Sequence, residues 1–238
     1  MMTPNEYFDD IFCINLDRRP DRWNLINERF KREKMQVTRW TATDALQRDI
    51  KVDYHLLRTE KPTSGIKTAG GYAILLSYLK LFYHIRNQGY EKVLIFEDDA
   101  IFIQDFIDHF RANIRDIPSN WELWALGCSQ YGTHELKFTP DHNFFSPTPP
   151  NNTYGLFAFA IKKCYIDTAI KILEKRMSYA DTEIFTHTYD GESRIYISCP
   201  PICSHSDGYS DNINAIKPST NVLTDCPGNT SIVQPIYY

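Results

Sequence analysis

KVLIFEDDA, from Lys92 to Ala100, sets an unbroken apolar run directly against three consecutive acids, Glu97, Asp98 and Asp99. A run that does not alternate suits a central parallel strand buried on both faces, because a strand with one wet face alternates polar and apolar residues. In an open α/β sheet, ligands bind beyond the carboxyl ends of the strands, so acids placed there are aimed at the ligand crevice. Three neighbouring carboxylates repel one another, and hard oxygen ligands of this kind suit Mg²⁺ or Mn²⁺, which can also bridge phosphate oxygens. The chemistry this favours is departure of a nucleoside diphosphate, with the cation offsetting the charge on the leaving phosphate. The plainer reading is a solvated loop whose acids cap the next helix.

Upstream of this stretch, Ala69 to Asn87 carries apolar residues on nearly every side, and Gly89 is placed to end a helix, so an interior helix is expected there. Ile11 to Leu16 reads as a strand, DRRPDR as a loop, and Trp23, Ile26 and Phe30 recur at helical spacing. Pro20 and Asp21 suit the start of that helix. A weaker strand is expected at Gln36 to Thr41. Downstream, strands are expected at Glu122 to Leu126, Gly155 to Ile161 and Arg194 to Ser198, with helices from Tyr165 to Lys175 and over ADTEIFTHT, which starts at Ala180. Strands alternating with helices predict an α/β fold with a mixed, mostly parallel central sheet flanked by helices. Residues 138–153, rich in Pro, Asn and Phe, read as a long loop, and the polar stretch from about 218 as a surface tail.

With 238 residues, 42% of them hydrophobic, the chain is expected to form one domain over 1–238. A net charge of −4 provides no basic footprint for a polyanion, so nucleic acid is excluded as the expected partner. MMTPNEYFDDIF lacks the basic and apolar parts of a signal peptide, and no later run approaches the roughly 18 apolar residues of a membrane span. The expectation is a cytoplasmic chain without a transmembrane segment, with peripheral association at a membrane surface as its variant. The six cysteines read mostly as buried thiols. Cys199, Cys203 and His205 have a zinc-like spacing, but no fourth ligand stands near them.

Three ordered motifs resemble glycosyltransferase family 25, which includes bacterial lipooligosaccharide glycosyltransferases and collagen galactosyltransferases. INLDRRPDRW (Ile14 to Trp23) is similar to the family's opening strand and Arg-rich loop, TATDA (Thr41 to Ala45) to its Ala-x-Asp-Gly segment, and VLIFEDDA (Val93 to Ala100) to its Glu-Asp-Asp motif. Looser matches follow at TYGLFAFAI (Thr153 to Ile161), at Asp181, and at PPICSHSDGYSDN (Pro200 to Asn212). The resemblance implies a nucleotide-diphospho-sugar transferase fold of the A type, Mn²⁺ or Mg²⁺ dependence, a nucleotide-sugar donor that is usually a UDP-hexose, and inversion at the anomeric carbon. It implies a glycan, glycolipid or protein as acceptor. One departure stands out: where the family reads Gly-x-x-Gly-Cys-x-x-Ser-His, this chain keeps Gly70 and Ser77 but has Ala73, Ile74 and Tyr78.

Within this framework Asp99 is the expected direct metal ligand, with Glu97 supporting it and His205 completing the site, while Asp98 lies nearer the donor ribose or a metal-bound water. Asn15, Arg18, Arg19 and Arg22 stand beside a strand end where a diphosphate would lie, and a guanidinium fork matches phosphate oxygens. Asp44 is the candidate for holding base or ribose. For inversion a carboxylate must take the acceptor proton, and the candidates are Asp181, Glu183 and Asp211. Tyr154, Trp121 and Trp124 are candidate sugar platforms, although aromatics more often fill cores. Two other readings stay open: a Mg²⁺-dependent phosphohydrolase, and a catalytically silent module of the same fold that binds nucleotide or glycan.

Overall fold

The computed structural model describes residues 2–130, 136–147, 153–186, 194–206, 208–210 and 215–217, the last two stretches by backbone alone. A single capped turn, α1 (Pro4–Tyr7), leads into β1 (Asp10–Asn15), α2 (Pro20–Arg32) and β2 (Thr38–Thr41). Then come α3 (Arg48–Glu60), α4 (Ala69–Gln88), β3 (Lys92–Glu97), β4 (Ala100–Phe102), α5 (Phe106–Asp116) and β5 (Leu123–Ala125). The short strands β6 (Ser129–Gln130), β7 (Lys137–Phe138), β8 (Phe144–Ser146) and β9 (Thr153–Tyr154) precede β10 (Ala158–Lys162). After α6 (Lys163–Glu174) and α7 (Ala180–Thr186) the chain forms β11 (Ile195–Ser198), β12 (Cys203–His205), β13 (Gly208–Ser210) and β14 (Ala215–Lys217).

The central sheet has eight strands in the order β2-β1-β3-β10-β5-β11-β8-β7 among the described residues. β1 is parallel to β2 and to β3, β11 is parallel to β5, and β10 is inserted antiparallel between β3 and β5. The strands β2, β1, β3, β5 and β11 therefore run one way, which is the mixed, mostly parallel sheet the sequence predicts. Their carboxyl ends open on one edge, and that edge carries the acidic triplet.

β3 lacks alternation because both its faces are covered. Val93 and Ile95 pack with Phe12, Tyr78, Phe82 and Leu173 on one side, whereas Leu94 and Phe96 pack with Ile26, Phe30 and Phe102 on the other. α4 buries Tyr72, Leu75, Tyr78, Leu81, Phe82 and Ile85, and side chains of that size contribute roughly 1.5–3 kcal/mol each on burial. It begins at a Thr68 cap whose hydroxyl accepts from Gly71 N, and it ends at Gly89, whose φ of 74° lies in the left-handed region.

Some expectations change. The stretch 138–153 holds a hairpin: β8 pairs antiparallel with β7 and with β11 and so extends the sheet. Phe144 and Phe145 are buried there, but the strand is too short to display a period. Residues 148–152 and the tail from 218 lie outside the described residues. The strand expected from Gly155 starts only at Ala158, since Gly155 (φ 88°) makes a turn first. Of the cysteines, Cys13, Cys128 and Cys203 are buried thiols and Cys164 is an exposed one, while Cys199 is disulfide-bonded. Among the described residues no helix is long and apolar enough to cross a membrane.

Candidate functional site

The parallel register sets Ile14 beside Glu97, so Asn15, the last residue of β1, and Asp98, the first after β3, stand next to each other just past the last β1–β3 pair. Asn15 is almost fully buried, and its amide satisfies itself on every side. Its Nδ2 donates to Asp98 Oδ2 (2.7 Å) and to the Arg19 carbonyl (3.2 Å), and its Oδ1 accepts from Arg39 Nε (2.9 Å) and Nη2 (2.6 Å). From the first turn of α2, Arg22 reaches Asp98 Oδ1 with Nη1 (2.7 Å) and lies 3.6 Å from Asp99 Oδ2 with Nη2. Burial pushes the Asp98 carboxyl up to about 6, against the pull of Arg22 in the opposite direction; the Asp99 charge adds to the rise and the Asn15 hydrogen bond opposes it.

Asp99 is the acid of the triplet with an oxygen left unpartnered among the described residues. Its Oδ1 is buried without a hydrogen-bond partner among the described residues, while its main-chain carbonyl accepts from Ser206 N at 2.8 Å, tying the end of β12 to the triplet. Glu97 is held differently: the Tyr78 hydroxyl, buried on α4, donates to its Oε1 at 2.5 Å and lies 3.1 Å from the Leu156 carbonyl. Burial, then the Glu97 charge beside it, holds the Tyr78 phenol well above its usual range. No three His, Cys, Asp or Glu side chains are grouped to hold a metal ion among the described residues. The residues fit a cation that two carboxylates bind from one side and that keeps its other positions for water or phosphate, as Mg²⁺ commonly does. The buried Asp99 Oδ1 is the oxygen that such an ion would satisfy.

The other predicted residues are distributed around this centre. Arg18 Nε donates to Asp44 Oδ2 (2.9 Å), whose Oδ1 accepts from Leu46 N (2.9 Å), so Asp44 closes a turn as well as an ion pair. Arg19 pairs with Asp21 at 2.8 Å. The His205 ring is buried edge-on to Phe157 at 5.4 Å, with Nδ1 3.3 Å from the Ser206 carbonyl. Asp181, at the start of α7, accepts from Gly155 N on Oδ2 (2.9 Å) and from Thr182 N on Oδ1 (2.8 Å), and its charge reaches Tyr78. Glu183 follows on the same short helix, and Asp211 lies outside the described residues. Trp121 and Trp124 are core residues, packed on each other and, for Trp124, on Phe110, which removes them as sugar platforms.

Sequence reasoning missed three contributors. Arg39 on β2 grips Asn15, approaches Asp17 (3.4 Å) and lies over the Trp23 ring (5.5 Å). A charged residue on a weak edge strand carries no local signal of such a role. Tyr78 is one of the three residues that depart from the family pattern, so the departure itself was the signal. Ser77 accepts from Thr43 N and donates to the Ala73 carbonyl, both at 2.8 Å, which fixes the segment bearing Asp44 onto α4.

A family profile described as glycosyltransferase family 25 (LPS biosynthesis protein) matches residues 8–151. The human protein "Inactive glycosyltransferase 25 family member 3" is 30% identical over 135 residues, covering 52% of this chain and 22% of that protein. The cattle protein "Probable inactive glycosyltransferase 25 family member 3" is 28% identical over 147 residues, covering 54% of this chain and 23% of its own length. The match thus spans less than a quarter of either relative. Among solved structures, a glycosyltransferase involved in glycosylation of the major capsid of PBCV-1 aligns over 86% of this chain and 95% of its own, with a TM-score of 0.51 and 8% identity. That likeness is one of fold, the nucleotide-diphospho-sugar transferase fold.

Proposed function

The chain belongs to glycosyltransferase family 25, and from that premise we propose that it transfers a hexose from a nucleotide-sugar donor, UDP-hexose foremost, to a hydroxyl of a glycan, glycolipid or protein. We further propose that the transfer depends on Mn²⁺ or Mg²⁺ held by Asp98 and Asp99. The observation that carries this reading is Asp99 Oδ1, a buried carboxylate oxygen with no hydrogen-bond partner among the described residues, just past the end of a central strand. An unsatisfied buried acceptor costs roughly 1–3 kcal/mol, more when charged, so such an atom is suited to hold a cation. When bound, the ion offsets charge on the departing diphosphate.

The chain's own residues do the rest. Asn15 and Arg39 hold Asp98 in one orientation, and Tyr78 does the same for Glu97. Arg18, Arg19 and Arg22 flank the strand end where the diphosphate would lie. Asp181, kept in place by the Gly155 N–H, is the base that takes the acceptor proton in an inverting transfer. A second reading, a silent module that binds nucleotide or glycan, has support in the names of the human and cattle relatives, both called inactive. A panel of UDP- and GDP-sugars with Mn²⁺ separates the two. Donor hydrolysis or transfer supports the enzyme, whereas donor binding with no turnover of any sugar supports the silent module.

A further inference from the structure

We propose that Arg22 is a built-in counter-ion that competes with the divalent cation for Asp98 and Asp99 and moves onto the diphosphate when cation and donor arrive together. The inference rests on the reading of those two acids as the cation site and adds a regulation of it: cation and nucleotide each bind weakly alone and help one another.

The geometry supports the competition. One guanidinium addresses both acids, with Nη1 2.7 Å from Asp98 Oδ1 and Nη2 3.6 Å from Asp99 Oδ2. The neighbouring arginines make their close contacts elsewhere, Arg19 with Asp21, Arg39 with Asn15 and Asp17, and Arg29 with the Ala100 carbonyl, although the charge of Arg19 also reaches Asp98 and that of Arg29 reaches Asp99. Arg22 is the arginine that reaches both carboxylates, and a divalent ion held by the same two side chains, Asp99 Oδ1 included, would bring like charges within a few ångströms in a poorly solvated place. The two cannot share the site. Desolvated Asp98 holds the guanidinium tightly while no other cation is present.

Release is equally well prepared. The Arg22 side chain springs from the first turn of α2, where the helix dipole favours an anion, and 19% of it remains solvent-accessible. A guanidinium fork fits phosphate oxygens as well as carboxylate oxygens, so a diphosphate at this helix end gives Arg22 a second berth. Diphosphate binding draws the guanidinium off the acids, and cation binding frees the guanidinium for the diphosphate. By linkage the two effects are equal in size.

The test is Mn²⁺ affinity, read from the electron paramagnetic resonance of free Mn²⁺, in wild type and Arg22→Gln, followed by UDP titrated into the Mn²⁺-saturated proteins. The expected result is a crossover: Arg22→Gln binds Mn²⁺ alone roughly tenfold tighter and UDP roughly tenfold weaker. A substitution that merely loosened the site would weaken both. If wild type binds Mn²⁺ and Arg22→Gln binds it no more tightly, the counter-ion role is overturned and the cation site stands. If neither protein binds Mn²⁺, with or without UDP, both fall. Should Arg22→Gln fail to fold, Arg22→Lys serves instead: a single ammonium cannot address both acids as the fork does. Mn²⁺ should then bind several-fold tighter than in wild type, and unchanged affinity overturns the proposal.

Discussion

Asp99 carries the clearest prediction at the residue scale. Asn in its place halves the donor set for a cation but puts no new charge in the site, so Asp99→Asn should abolish transfer while its thermal midpoint stays at or above that of wild type. Asp98 makes a different prediction, through pH. Its carboxyl is raised to about 6 from 3.8, so between those values the folded chain keeps a proton that the unfolded chain has released. The unfolded state binds fewer protons there, and stability falls as pH rises through the window, levelling off above about 6. The full effect is about 2–3 kcal/mol, and urea unfolding in excess chelator should show a shallower fall in Asp98→Asn. Equal slopes would remove Asp98 as the source. The base is tested by a pair of variants. Asp181→Asn keeps an acceptor for Gly155 N but cannot take a proton, so transfer should drop by roughly 10² with nucleotide affinity near wild type. Glu183→Gln should change little; the opposite pattern reverses the assignment.

At the scale of elements, β12 is held against the end of β5 by a close backbone approach. A Cβ at Gly127 would lie 2.0 Å from the Cys203 carbonyl, an atom of the β12 backbone that has no flexible tip to move. Gly127→Ala should therefore destabilise the fold by about 3 kcal/mol, measurable as a lower urea midpoint. Because Ser206 N, just after β12, donates to the Asp99 carbonyl, the same change should weaken Mn²⁺ binding as well as folding. The elements also show why α4 matters beyond packing. A helix buried on most sides positions Ser77 and Tyr78 one after the other, the first on the Thr43 segment and the second on Glu97. It thereby sets the two halves of the crevice relative to one another.

For the whole molecule, ligand and fold are linked. A nucleotide bound only by the native state raises stability by an amount that grows with its concentration over Kd, about 2.7 kcal/mol at a hundredfold excess. UDP with Mn²⁺ should therefore raise the thermal midpoint, and excess chelator should remove that rise. A rise that survives chelator would show that the nucleotide binds without the cation.

How much of this was legible in the sequence follows from which interactions are local. The unbroken apolar run of β3, the apolar girth of α4 and the Gly89 stop were readable because burial on a given face leaves a period, or its loss, in consecutive residues. The acids after β3 could likewise be aimed at the crevice, since the carboxyl end of a buried strand is a ligand-facing place in any open α/β sheet. The hairpin of β7 and β8 left no such trace, because two and three residues are too few to set a period. Strand order was beyond reach for another reason: the antiparallel insertion of β10 between β3 and β5 joins segments about 30 to 60 residues apart, and nothing in their own pattern names their neighbours. The same holds for the site's fine structure. Sequence determined that an acidic cluster would stand beside an arginine-rich loop, but only tertiary structure decided that Arg22 would rest on Asp98 and Asp99, that Arg39 would grip Asn15, and that one oxygen of Asp99 would be buried without a partner among the described residues. Those are meetings of side chains from separate elements, fixed by how the elements pack and not by the order in which their residues are strung.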